Sequence, residues 1–326
     1  MKMEEMLDKF VPRYVRDLKQ YEPGKPVEEV ERELGIRKSL KMASNENPLG
    51  PSPAAMRAIE KAAKKVNYYP EGDCYYLREK MLKKLGVDTS ELIFGNGSNE
   101  IIELLIRTLV RPGENIVVSE HAFLVYRLIA QGAGAETLEA PAMEYGHDLG
   151  KMASLINKKT RIVFVANPNN PTGSYCNEQS LKNFLKSIPE IPVVMDEAYY
   201  EYASARDYPD TLKLRADFPN IVTLRTFSKA YGLAGLRIGY GVGDGKLMKY
   251  LNRLRQPFNV NTVAQEAAAA ALGDKEHLEK SRKANNMGKK YLYTELAGND
   301  IKFLPTEANF ILVKVGKGRK VFNQML

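Results

Sequence analysis

Short apolar runs recur along the middle of this chain: "NIVVSE", "RIVFVANP", "PVVMDEA", "IVTLRT" and "RIGYGVG", with helical stretches between several of them. Continuous apolar strands alternating with helices imply a mainly parallel sheet covered by helices on both faces. Two elements precede these runs. "LIFGNG" reads as strand and turn, and "SNEIIELLIRTLV" as a helix with Ile101, Leu104, Leu105 and Leu109 on one face. The expected fold class is α/β, a large domain with a mainly parallel sheet between helices, plus a smaller α/β domain. In such sheets functional groups gather at the carboxyl ends of the strands.

The remaining totals exclude more than they identify. At 326 residues the chain has room for one large α/β domain and a smaller one, and its 44% hydrophobic and 27% charged content is that of an ordinary globular protein. No apolar run approaches the ~20 residues a membrane span needs. The start, "MKMEEMLDKFVPRY", is acidic where a signal peptide is apolar, so a cytoplasmic location is expected. Cys74 and Cys176 lie far apart without metal-ligand spacing, and His121, His147 and His277 form no motif with them. No metal site is expected. The formal net charge of +8 comes from basic residues scattered among acidic ones with no long basic block, which favours a soluble basic enzyme over a nucleic-acid binder; an anionic substrate or cofactor would fit the same charge.

Four motifs fall where strands end. In "FGNGSNE" a glycine turn leads into a helix beginning near Ser98 and Asn99, readable as a plain helix cap or as a phosphate site on free N–H groups. "VANPNNPTGSY" is a sharp turn that offers the Asn170 amide to the crevice. In "VVMDEAYYEY", Asp196 ends a buried run, either as a helix cap or as a carboxylate that needs a partner, and Tyr199 follows three residues on. "LRTFSKAYGLAGLRIGYG" supplies the amine of Lys229, the hydroxyl of Ser228 and the guanidinium of Arg237. Asn170, Asp196 26 residues later and Lys229 after 33 more suit one chemistry, that of pyridoxal 5'-phosphate.

In order and wording, "NNPTG", "DEAY" and "SKAYGLAGLRIGY" resemble the signatures of the aspartate-aminotransferase superfamily of pyridoxal-phosphate enzymes, over nearly the whole chain. The resemblance implies Lys229 as the Schiff-base lysine and Asp196 as partner of the ring nitrogen. It implies Asn170 and Tyr199 on the ring's phenolic oxygen, and Ser98, Asn99, Ser228 and Arg237 at the phosphate. Phe123, in "HAFLVY", matches the aromatic residue that stacks on the ring.

Within the superfamily, "ASNENPLGPSP", "NYYPEGD" and "RQPFNVN" look like the histidinol-phosphate aminotransferases. That likeness implies a homodimer in which Tyr69 reaches the partner's cofactor phosphate. Tyr21 would lie near substrate, as would Asn170, while Phe258 replaces a tyrosine found in some members. It also implies an arm (1–43), a large cofactor-binding domain (44–260) and a small domain (261–326). The substrate-carboxylate arginine of the family falls past Leu326. Val321, Phe322, Met325 and Leu326 have helical spacing with no cap after them, so the chain is expected to be a fragment ending inside a helix. The expected reaction passes an amino group from L-histidinol phosphate to 2-oxoglutarate. Rival readings are an aromatic amino-acid aminotransferase, a threonine-phosphate decarboxylase and an inactive cofactor-binding fragment.

Overall fold

The computed structural model describes residues 3–21 and 24–325. A seven-stranded sheet forms from β1 (Leu92–Gly95), β2 (Asn115–Ser119), β3 (Glu136–Ala140), β4 (Thr160–Ala166), β5 (Val193–Asp196), β6 (Ile221–Thr226) and β7 (Gly239–Val242). Their order is β1-β7-β6-β5-β4-β2-β3. β2, β3, β4, β5 and β6 pair in parallel, while β7 runs antiparallel to both β6 and β1. The sheet is therefore mainly parallel, as expected, with one reversed strand.

Both faces of the sheet are buried, which is why its strands read as unbroken apolar runs. Along β4, Ile162 and Phe164 join one core with the helices Gly97–Leu109, Leu124–Gly132 and Gly245–Leu254. The intervening Val163 and Val165 join a second core with Leu149–Ser154 and Glu178–Ser187. Each fully buried side chain of this kind stabilises by about 1.5–3 kcal/mol. A third core joins β1 and β7 to the helices Pro53–Ala63, Tyr75–Leu85 and Thr262–Ala271. The alanine-rich face of Thr262–Ala271 allows close packing there: Ala264, Ala267 and Ala268 are fully buried.

The strand missing from the sequence reading is β3. It lies at the sheet edge with only Ala140 buried, and "ETLEA" lacks an apolar run. The first residues do form short helices, Met3–Phe10, Arg13–Arg16 and Val27–Leu34. "ASNENPLGPS" is an irregular strap before Pro53, which takes the first helical position behind a Ser52 cap. After the long helix Lys275–Gly298 comes a bridge between Phe303 and Val313, then the helix Gly318–Met325. Val321, Phe322 and Met325 lie on that last helix; Leu326 lies outside the described residues.

Candidate functional site

The reversed strand assembles the site. Gly239, at the start of β7, pairs with Gly95 at the end of β1 and with Thr226 at the end of β6. Arg237, two residues before β7, is thereby brought to the same rim as the carboxyl ends of the parallel strands. Ala166 and Asp196 end β4 and β5 beside it. A cavity of ≈ 360 Å³ opens at this rim, and Lys229, Asp196, Tyr199, Asn170, Phe123 and Tyr21 are among the residues lining it. Ser98, Asn99, Ser228 and Arg237 line it as well. Of the candidates named from the sequence, all but Tyr69 and Phe258 come together here.

At one end is a site built for an anion. The helix Gly97–Leu109 starts with no side-chain cap on its first amides, so these N–H groups are free for a ligand. Gly97 has φ +73°, a conformation that favours glycine, and a Cβ there would come 2.5 Å from Arg237 Nη2 and push the guanidinium aside. Arg237 itself adopts the left-handed region, φ +57°, and its Nη1 donates to Ser228 Oγ at 3.4 Å. Thr226 Oγ1 donates to the same hydroxyl at 3.0 Å.

At the other end Asp196 does not cap a helix; it closes β5. Its Oδ2 accepts a 2.6 Å hydrogen bond from Tyr126, while its Oδ1 is buried with no hydrogen-bond partner. Burial raises the carboxyl, and the Tyr126 hydroxyl, the Ala198 amide and Lys229 all pull it back down. A buried, unpartnered carboxylate oxygen facing a cavity calls for a cationic or N–H ligand. Lys229 Nζ donates to the carbonyl of Ser44 at 2.9 Å, and burial lowers its pKa to about 8. Tyr199 keeps its proton, because burial raises it further than the 3.0 Å bond from Asn45 Nδ2 lowers it.

Amine, unpartnered carboxylate oxygen and anion cradle in one cavity fit pyridoxal 5'-phosphate, whose aldehyde, ring nitrogen and phosphate need those three partners. Three contributors were not singled out from the sequence. Tyr126 follows Phe123 by three residues in "HAFLVY", a spacing that puts both near one helix start. Ser44 and Asn45 sit in the strap, at φ +70° and +52°. Tyr69 lies outside the cavity, 83% exposed and stacked on Phe258 with ring centroids 4.8 Å apart. Both cysteines are free and buried.

A family model for class I and II aminotransferases matches residues 37–326. A histidinol-phosphate aminotransferase of Moorella thermoacetica is 49% identical over 96% of this chain and 82% of its own length. One from Anaeromyxobacter is 46% identical over 97% of the chain and 88% of its own length. Among solved structures, the histidinol-phosphate aminotransferase of Sinorhizobium meliloti in complex with pyridoxal-5'-phosphate superposes with a TM-score of 0.87 at 27% identity, covering 94% of this chain and 83% of that one. With the cavity just described, these matches make the chain a member of the class I and II aminotransferases, on the branch of the histidinol-phosphate aminotransferases.

Proposed function

We propose that the chain is a pyridoxal-phosphate-dependent transaminase that moves the amino group of L-histidinol phosphate to 2-oxoglutarate, a step of histidine biosynthesis. One observation carries the reading: the Lys229 amine and the unpartnered Oδ1 of Asp196 face one cavity whose rim also holds an anion cradle. The cofactor supplies an aldehyde and an electron-withdrawing ring. Lys229 Nζ, free base in a large fraction near pH 8, is the group that removes the proton from the substrate's α-carbon. Asp196 would hold positive charge at the ring nitrogen. Tyr199 and Asn170 would hold the phenolic oxygen, Phe123 would pack on the ring, and Ser98, Asn99, Ser228 and Arg237 would hold the phosphate. Tyr21 borders the substrate.

We further propose a cytoplasmic homodimer with Tyr69 given to the partner's site. No helix among the described residues is long and apolar enough to cross a membrane. The arm is taken as 1–43. The large domain is taken as 44–260 and the small domain as 261–326, with the helix Thr262–Ala271 packed into the third core.

The test is a substrate panel with the parent and Lys229→Ala. The parent should transaminate histidinol phosphate in preference to aromatic amino acids and release no carbon dioxide from threonine phosphate. Lys229→Ala should lose the visible absorption of lysine-bound cofactor and at least ~100- to 10,000-fold in rate. Parental turnover by Lys229→Ala would overturn the assignment.

A further inference from the structure

Tyr126 is not among the residues that motif or resemblance assigns to the site, yet its hydroxyl donates to the Asp196 carboxylate. It stands in the first turn of the helix Leu124–Gly132 and is fully buried. Its ring stacks on Phe164 of β4, centroids 4.6 Å apart and 14° from parallel, and meets Phe123 edge-on at 5.7 Å. Held between those rings, the phenol can swing little, and its oxygen lies 2.6 Å from Asp196 Oδ2.

The ring alone accounts for the packing; phenylalanine would fill the same space. Burying a hydroxyl costs free energy unless it is hydrogen-bonded, and Asp196 is the partner this one has. The other oxygen of the carboxylate, Oδ1, is buried without a hydrogen-bond partner, and Asp196 lines the cavity. Resting on the cofactor reading above, the geometry points to Tyr126 as the positioning residue of Asp196: its hydroxyl pins Oδ2, which leaves Oδ1 for the ring nitrogen. Burial and the nearby Asp196 charge hold the Tyr126 phenol well above its ordinary range, so it remains the donor. The hydrogen bond in turn lowers the Asp196 carboxyl against the rise that burial imposes.

The experiment uses Tyr126→Phe, Asp196→Asn and the double variant. In apoprotein carrying labelled aspartate, the infrared carboxyl band that vanishes in Asp196→Asn reports that group. Its titration midpoint should move up in Tyr126→Phe, which a packing role for the ring would not do. Cofactor affinity and α-proton exchange should each fall roughly 10- to 100-fold in Tyr126→Phe, as for a hydrogen bond to a charged group. In the Asp196→Asn background the same substitution should add nothing. Thermal unfolding checks that Tyr126→Phe keeps the parental fold. An unmoved Asp196 midpoint, or an equal loss from Tyr126→Phe with and without Asp196, overturns the positioning role and leaves the cofactor reading standing. Parental cofactor affinity and exchange in Asp196→Asn would instead sink the cofactor reading itself, and the Tyr126 assignment with it.

Discussion

At the scale of single residues, the site stores two groups in environments that work against their charge. Lys229 is the clearer case, since burial depresses its pKa from 10.5 to about 8. Below pH 8 the folded protein must hold an ammonium in poor solvent. Between about 8 and 10.5 the unfolded chain binds more protons than the folded one, so stability climbs with pH across that window. Lys229→Met, which removes the buried charge, should raise the melting temperature of the apoprotein at pH 7, by on the order of a few kcal/mol in stability at most. The gap should close as pH approaches 10.5. Melting curves at pH 7 and pH 10 with the same gap would show that burial of charge at Lys229 carries no such cost. Lys229 and Asp196 were legible in the sequence because each sits in a motif that few structural needs would produce. Tyr126 was not, because its meaning depends on a partner 70 residues away. Asn45 was hidden likewise: a loop rich in asparagine shows that turns are needed, but not that one amide reaches Tyr199, 154 residues on.

At the scale of elements, β5 and β6 are tied behind the site by a buried ion pair. Arg225 Nε lies 2.8 Å from Glu197 Oε2, with the two side chains 5% and 0% exposed. The guanidinium also lies 3.4 Å over the Tyr200 ring, and Thr211 Oγ1 donates to Glu197 Oε1 at 2.7 Å. Burial pushes the nearby Glu201 up to about 7, against the pull of Arg225. Arg225→Met would leave Glu197 buried without its cation, a change that typically costs about 3–5 kcal/mol. Urea unfolding should show that loss, and adding Glu197→Gln to the same chain should restore much of it. A single-variant loss under about 1 kcal/mol would mean that water or rearrangement replaces the pair. Strands with both faces buried, such as β4 and β5, were readable from their apolar runs alone. β3 was not, because an edge strand with mostly exposed side chains has no such signature. The reversal of β7 was equally hidden: the glycines of "RIGYGVG" set it apart from its parallel neighbours but do not encode strand direction, which follows from the connection that precedes it.

At the scale of the whole molecule, several large apolar and aromatic side chains stand in solvent on the lone protomer. Val66, Tyr68, Tyr69, Tyr76 and Phe258 are all exposed, with Tyr69 stacked on Phe258 outside its own cavity. Exposed aromatic clusters of this kind mark interaction sites, and the proposed homodimer would cover this one. If Tyr69 then serves the partner's cofactor phosphate, two defective chains should repair each other. Tyr69→Phe alone should weaken cofactor binding roughly 10- to 150-fold, the range for a lost hydrogen bond to a charged group. Lys229→Ala alone should be inactive. In a mixed dimer, one site draws Lys229 from the first chain and Tyr69 from the second, and carries neither defect; the other site carries both. Random pairing of equal amounts makes half the dimers mixed, each with one good site of two, so activity should recover to about a quarter of the parental value at limiting cofactor. Subunit exchange is confirmed by native mass spectrometry on chains of different tag mass. Exchange without any gain over the separate variants would place Tyr69 outside the partner's site, and the aromatic surface would then need another explanation than a shared active centre.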